Sequence, residues 1–169
     1  MEVYDVRILF AKLSPNAKIP TKIEEDAGFD LYACIDDRNP YGWQIDPHTT
    51  MMIPTGLIYA CPKEWAIILK ERGSTGIISM KIGAGVCDSG FRNEVVVQLY
   101  NGLNKSMVIS PTEEKVRETE KVVFYPVAKA IAQFLVLPVP RTLITETTVD
   151  EILAISSERK QGMLGSSGK

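Results

Sequence analysis

The strongest chemical signal in the sequence is Asp88, an aspartate framed by glycines in the segment 83–91, GAGVCDSGF. A carboxylate held in such a turn suits a general base that orients water, and the ring of Phe91 suits packing on a sugar. Alone, an aspartate here is more often an ordinary turn residue. We expect Gly85–Asp88 and Glu94–Tyr100 to pair as a hairpin, with Asp88 and Phe91 near its mouth.

A second segment carries groups that suit phosphate oxygens. It spans residues 71–76, ERGSTG, and follows the apolar run Trp65–Lys70. Guanidinium groups, hydroxyls and the backbone N–H groups of a helix start all bind anions. We predict a short helix after Arg72 with Ser74 as its N-cap. By itself this pattern is weak, because such turns are commonly structural.

The glycine- and serine-rich tail after Ser156 is a third candidate for anion binding. Its GMLGSSGK lacks the glycine spacing of a P-loop, which excludes a Walker site. Hydroxyls and backbone amides of residues 165–168, with the charges of Arg159 and Lys169, suit a flexible anion-binding arm.

Other residue types narrow the chemistry. Any histidine-based triad or metal cluster would have to use His48 alone, and its place in a turn favours an ordinary exposed histidine. Cys34, Cys61 and Cys87 are scattered and form no CxxC pair, which favours a reducing compartment. Asp30 lies inside an apolar segment, so its carboxylate must be paired or hydrogen-bonded, for structure or for function.

Length and composition favour one globular domain. The chain has 169 residues, 45% hydrophobic, with a net charge of −2, which gives no basic surface for nucleic acid. No apolar run approaches the ~20 residues of a membrane helix, and the first ten residues do not resemble a signal peptide. We therefore expect a cytoplasmic protein with no membrane or nucleic-acid partner.

Short apolar runs recur about every 8–12 residues, which favours an all-β sandwich or barrel of jelly-roll type with at most one or two short helices. Leu57–Ala60 and Trp65–Lys70 are interpreted as a hairpin. We place the single β domain at 1–156 and a flexible arm at 157–169. The predicted strands are Val3–Phe10, Gly28–Ala33, Met51–Ile53, Leu57–Ala60, Trp65–Lys70, Ile77–Met80, Gly85–Asp88, Glu94–Tyr100, Lys121–Tyr125, Ile131–Val139 and Glu151–Ile155.

Taken together, five segments in order resemble the five motifs of the trimeric dUTPases, a jelly-roll (β-clip) family. Each would be weak alone, but they follow the family's order from Ala27 to Gly168, nearly the whole chain. The third is the most specific. The segments are AGFDLYA (27–33), ERGSTG (71–76), GAGVCDSGFRNEVVVQLYN (83–101), KAIAQFLVLPV (129–139) and RKQGMLGSSG (159–168).

The resemblance implies hydrolysis of dUTP to dUMP and pyrophosphate. Asp88 would deprotonate the water that attacks the α-phosphorus in line, and Phe91, where the family has tyrosine, would stack on deoxyribose. Backbone groups of the hairpin would recognise uracil. The implied substrate-binding residues are Arg72, Gly73, Ser74, Thr75, Gly85, Val86, Cys87, Phe91, Val96, Gln133, Arg159, Leu164, Gly165, Ser166 and Ser167.

The resemblance also implies Mg²⁺, held mainly by the three phosphates and water, so that no residue is a direct ligand and Asp30 acts at most from the second shell. It further implies a homotrimer with shared active sites. Some positions depart from the family: Leu164 replaces an aromatic residue, Gly73 a common serine, and Ala130 a common arginine.

Between the third and fourth motifs the chain is longer than is typical, an extra segment at about 104–125. Extended versions of this kind occur among phages and Gram-positive bacteria. Within it, Ser110–Lys121 is charge-rich and poor in apolar residues, which predicts a solvated hairpin or short helix. The alternative function from another class is therefore a binding protein that engages a regulator through Ser110–Lys121, with or without catalysis.

The enzyme alternative is dCTP deaminase, which shares the fold. Its catalytic glutamate falls at the position of Gln98 in this chain. An amide cannot shuttle the proton that deamination requires, so the sequence favours hydrolysis at phosphorus.

Truncation of the chain before Arg159 should lower dUTP turnover sharply, because contacts to the γ-phosphate and the exclusion of water would be lost. The check is a pyrophosphate-release assay with Mg²⁺ on the full and the shortened chain. Equal rates would mean that the arm has no part in catalysis.

Overall fold

The computed structural model describes residues 5–157 of the chain. This part is mostly strand, which confirms the all-β prediction, and it contains two short helices, α1 (Gly73–Ile77) and α2 (Val149–Ala154). The strands of this range are β1 (Leu9–Lys12), β2 (Phe29–Tyr32), β3 (Trp43–Ile45), β4 (Thr50–Pro54), β5 (Leu57–Ala60), β6 (Trp65–Lys70), β7 (Met80–Gly83), β8 (Val86–Cys87), β9 (Val96–Asn101), β10 (Ser106–Ser110), β11 (Arg117–Glu118), β12 (Val122–Pro126) and β13 (Ala130–Pro138).

The strands form four sheets in the described part of the chain. Their orders are β1-β5, β11-β12-β10-β3, β2-β13-β6-β8 and β4-β9-β7. All four sheets contribute to one core, to which Leu57, Ile109, Phe134 and Leu99 belong. Along β9 the residues alternate: Val97, Leu99 and Asn101 are buried, and those between them are only partly covered. No helix in residues 5–157 is long and apolar enough to cross a membrane.

Three phenylalanine rings join β1 to the sheet that carries β6. Phe134 on β13 stacks on Phe29 with a centroid distance of 5.0 Å and lies 5.7 Å from Phe10. Phe134 is almost completely buried. Offset aromatic packing of this kind adds to the burial of large apolar areas.

Two predicted pairings are wrong. Leu57–Ala60 and Trp65–Lys70 are both strands with the predicted bounds, but β5 pairs with β1, and β6 pairs with β13 and β8. The four residues between them carry the chain from one sheet to another. Likewise β8 pairs with β6, whereas β9 pairs with β4 and β7, so the two halves of the predicted hairpin lie in different sheets.

Some predicted elements differ in type or position. The segment Glu151–Ile155 belongs to a helix, because Thr148 and Glu151 form a capping box: each side chain accepts from the other's backbone N–H. The first strand begins later than predicted, at Leu9, and Ile77 ends α1 rather than opening a strand. Strands β3 and β10 were not predicted.

The charge-rich segment is the crossover of a parallel strand pair. Strands β10 and β12 run parallel, and the chain between them returns through β11, which pairs antiparallel with the other edge of β12. The hairpin prediction for Ser110–Lys121 is thus confirmed for its second half. Residues 114–121 are exposed, and Arg117 packs over the ring of Phe124.

An ion network ties the loop after β2 to the start of β9. The guanidinium of Arg38 donates to both Asp36 and Glu94, and Glu94 also accepts from the backbone N–H of Gly56. The hydrogen bonds from Arg38 hold the pKa of both carboxyls below their usual range. Their contribution to stability is therefore present at neutral pH and is lost as the pH falls through these lowered values.

Gly56 is required by this junction, since its φ is +67° and an added Cβ would lie 2.8 Å from both Ala17 and Cys34. Gly56→Ala should lower the free energy of unfolding by roughly 2 kcal/mol through backbone strain and overpacking. Urea denaturation measures the loss. Gly76→Ala is the matched control, because nothing lies within 4 Å of its added Cβ. Equal stability of the two variants would contradict the assignment.

Candidate functional site

A cationic site forms where β6 ends and α1 begins. Arg72, the N-cap of α1, makes a bidentate ion pair with Asp30 on β2, with Nε–Oδ1 at 2.6 Å and Nη2–Oδ2 at 3.1 Å. The guanidinium Nη1 donates to Ser74 Oγ at 3.1 Å. The carboxylate of Asp30 is thus paired with Arg72, which meets the requirement set by its place in an apolar segment.

The N-cap prediction for Ser74 is wrong: the N-cap is Arg72, and the side chain of Thr75, the third helical residue, closes the first turn. Thr75 is fully buried, and its hydroxyl accepts from the backbone N–H of Arg72 and donates to the Arg72 carbonyl, both at 3.0 Å. Thr75 therefore holds the turn, while Ser74 and Gly73 are exposed beside Arg72.

A cavity of about 420 Å³ opens next to this ion pair. Gln133 on β13 forms part of its wall and donates from Nε2 to the carbonyl of Glu71 at 2.8 Å. The side-chain carboxylate of Glu71 accepts a hydrogen bond from the backbone N–H of Ile82, and that bond lowers the pKa of this carboxyl group. The cavity is lined by Asp26, Ala27, Gly28, Asp30, Arg72, Gly73, Ser74, Gln133 and Leu135.

Asp88 lies in a separate, exposed turn after β8. Its backbone carbonyl accepts from the N–H of Phe91 at 3.0 Å and from the hydroxyl of Tyr59 at 2.5 Å. The ring of Phe91 is 37% exposed and its centroid lies 6.5 Å from that of Tyr59. Asp88 and Phe91 thus lie in the same turn, and both are exposed.

Strand β8 is an edge strand of its sheet in the described structure. Gly85 just before it accepts from Leu69 N–H at 2.7 Å, and an added Cβ at Gly85 would lie 2.5 Å from the Leu69 carbonyl oxygen. Val86 is exposed, Cys87 is half-buried, and burial raises the pKa of the Cys87 thiol. Val96 begins β9 opposite Pro54.

The phosphate-type groups and Asp88 lie at opposite ends of β6. Cys87 pairs with Ile67, which places Asp88 beside Ala66, whereas Arg72 follows the other end of the strand. Six residues at the rise of a strand separate these points by roughly 20 Å. The structure therefore brings Asp30, Arg72, Ser74 and Gln133 together, and separately Asp88 and Phe91, but does not join the two groups within one chain.

The predicted arm residues Arg159, Leu164, Gly165, Ser166 and Ser167 lie outside the described residues. Within residues 5–157, no group of three or more His, Cys, Asp or Glu side chains is placed to hold a metal ion. The Asp30 carboxylate is bound by Arg72, whose guanidinium suits phosphate oxygens.

Sequence reasoning missed two contributors to these sites. Glu71 supplies the carbonyl that fixes Gln133, and Tyr59 supplies the hydroxyl bound by Asp88. The sequence did carry a signal for Glu71, because it is the first residue of the segment 71–76 that was singled out for phosphate binding. Tyr59 carried none, since it appeared as one apolar residue of a strand.

A family model described as dUTPase matches residues 15–168. The dUTPase of Klebsiella pneumoniae is 31% identical over 135 residues, 77% of this chain and 84% of the relative. That of Wolbachia pipientis is 28% identical over 170 residues, 97% of each chain.

Solved structures show the same fold. The dUTPase of Staphylococcus bacteriophage 80alpha with dUPNHPP has a TM-score of 0.72 at 20% identity, covering 96% of this chain and 99% of the other. That of phage phi11 of S. aureus has a TM-score of 0.64 at 15% identity, covering 83% and 96%. With the family match over nearly the whole length, the chain belongs to the dUTPase family, the dUTP diphosphatases.

Proposed function

We propose that the chain hydrolyses dUTP to dUMP and pyrophosphate at sites assembled between copies, with Asp88 of one copy facing the Arg72 cavity of another. The observation that carries the proposal is the separation of roughly 20 Å along β6 between these groups. This separation favours a site in which the phosphate-binding Arg72 and the base Asp88 come from different chains.

Arg72 is assigned to the phosphates. Asp30 and Ser74 engage three of the five N–H donors of its guanidinium, so two remain for phosphate oxygens. Because Asp30 binds the Arg72 guanidinium through two hydrogen bonds, the direction of the two remaining N–H donors is fixed before the substrate binds. The exposed backbone of Gly73, with Ser74 and Gln133, completes the anion-binding wall of the cavity.

Asp88 is assigned as the general base. Its carboxylate is exposed on a turn, where it can orient and deprotonate the water that attacks the α-phosphorus in line. Phe91 beside it offers a ring face to deoxyribose. Gly85, Val86 and Cys87, with Val96, would recognise uracil through backbone groups on the open side of β8.

Mg²⁺ is the cofactor we propose, bound to the triphosphate and water. When bound, it neutralises phosphate charge and lowers the cost of charge that develops in the transition state. Arg72, Ser74 and Gln133 on the cavity wall fit this arrangement, because they would hold the phosphates that carry the ion. A mutant dUTPase of phage phi11 of S. aureus is described as coordinating a structural Mg(II) ion.

A homotrimer is the proposed assembly, with residues 157–169 as an arm that closes over the site. Residues 140–157 are exposed throughout and carry apolar side chains such as Leu143, Ile144, Val149 and Ile152. Exposed apolar groups in such number favour burial against another copy.

Mixing two inactive variants tests the shared site. Asp88→Asn removes the base and Arg72→Met removes the phosphate grip, so each alone should lower kcat/KM for dUTP by at least about 10²-fold. After unfolding and refolding together in equal amounts, random assembly should restore about one quarter of the wild-type activity, because a working site takes Arg72 from one variant and Asp88 from the other.

The control is each variant refolded alone, which should stay inactive. A mixture that regains nothing, while wild-type protein refolded in the same way is active, would show that both residues serve the same chain's site. Wild type without dUTP turnover would contradict the proposed reaction itself.

A second candidate function is binding of a regulator through the charged crossover segment, Ser110–Lys121. The observation in its favour is the exposed β11 hairpin with mixed charges, including the Arg117–Glu113 and Lys105–Glu118 ion pairs. The phage 80alpha dUTPases are described as controlling transfer of virulence genes by a G protein-like mechanism.

Testing this segment requires replacement, not deletion, because β10 and β12 are parallel and need a connection that spans their length. Exchange of residues 113–120 for a Gly-Ser segment of equal length should leave dUTP hydrolysis within about twofold, since the exposed loop contributes little to the core. A steady-state assay checks this, and a large loss of kcat would tie the segment to catalysis.

A further inference from the structure

Tyr59 is a buried phenol that contacts the candidate base directly. It lies on β5, is only 3% exposed, and donates its hydroxyl to the backbone carbonyl of Asp88 at 2.5 Å. Strand β5 is anchored by four residue pairs with β1. Tyr59 therefore joins a firmly held strand to the turn that carries Asp88.

The turn is otherwise closed on itself. Phe91 N–H donates to the Asp88 carbonyl, and Arg92 Nη1 donates to the carbonyls of Ser89 and Phe91 at 2.6 and 2.7 Å. In the described part of the chain, the Tyr59 hydroxyl makes the hydrogen bond that links residues 88–92 to the rest of the protein. The ring of Tyr59 also packs against the ring of Phe91 at a tilt, and this contact supports the same turn.

The chemistry of the contact is one-directional. A carbonyl oxygen can only accept, so the phenol must donate and must remain protonated. Burial raises the pKa of Tyr59 well above its ordinary value. The anchor therefore persists through the pH range in which an aspartate serves as a base.

We propose that Tyr59 is a positioning residue for hydrolysis: its hydroxyl fixes the backbone of Asp88, and its ring fixes the position of the Phe91 ring. This rests on the proposed roles of Asp88 and Phe91. An exposed carboxylate takes its direction from its backbone, and small displacements of a base from the attacking water are costly in rate. A tyrosine that only fills the core would stabilise the fold without setting kcat.

Tyr59→Phe separates these cases because it removes the hydroxyl and keeps the ring. We expect kcat for dUTP to fall about ten-fold while KM stays within about twofold, since substrate contacts remain and the base is misplaced. Tyr59→Leu should lower kcat similarly and also raise KM, because Phe91 loses its support. Measurements are made well below the melting temperature of each variant.

Tyr100→Phe is the matched control. Its hydroxyl lies 3.3 Å from His48 Nδ1 and makes no hydrogen bond to residues 88–92 in the described structure, so its removal should leave kcat unchanged. Hydrogen–deuterium exchange of peptides covering residues 88–92, without nucleotide, reads the turn independently of activity. Exchange should quicken in Tyr59→Phe and stay at the wild-type rate in Tyr100→Phe.

Each outcome decides the question. Faster exchange with lower kcat supports the proposal. Unchanged exchange shows that the hydroxyl does not hold the turn, and faster exchange with unchanged kcat shows that the turn's order does not matter for hydrolysis; either overturns it. A wild-type protein that releases no pyrophosphate from dUTP would instead contradict the proposed function, and is recognised before the variants are compared.

Discussion

Strand β6 is the constraint on which the candidate site depends. It pairs with β13 along one edge and with β8 along the other, so one short strand holds Gln133 and Cys87 in register at once. Glu71 joins its last residue to Arg72, and its second residue, Ala66, lies beside Asp88. A shift of one residue on either edge would reverse the facing of the side chains that form both groups.

The value of the Arg72–Asp30 pair lies in orientation more than in stability. Both side chains are about one-third exposed, and pairs of that kind contribute only about 0–1 kcal/mol to folding. Their two-point geometry nevertheless sets where the remaining N–H groups point. The buried hydroxyl of Thr75 adds to this by closing the turn behind Arg72.

The sequence predicted the all-β class and the bounds of some strands, but not how the strands associate. Leu57–Ala60 and Trp65–Lys70 have the predicted bounds, since their apolar pattern is local. Their partners were mispredicted because pairing is decided by burial across the whole domain. The helix that begins at Val149 was not predicted, because a short apolar run fits a strand as well as a helix. The capping box formed by Thr148 and Glu151 was the signal that could have decided between them.

The separation of Asp88 from Arg72 along β6 has a consequence for how the protein behaves in solution. Under the proposed shared site, a free copy carries two incomplete half-sites, so the amount of working enzyme follows the population of assembled protein and not the total amount of chain. Specific activity would then decline on dilution even though each copy keeps its fold. A substrate that bridges the two half-sites would favour association of the copies and would then be hydrolysed by the assembled protein.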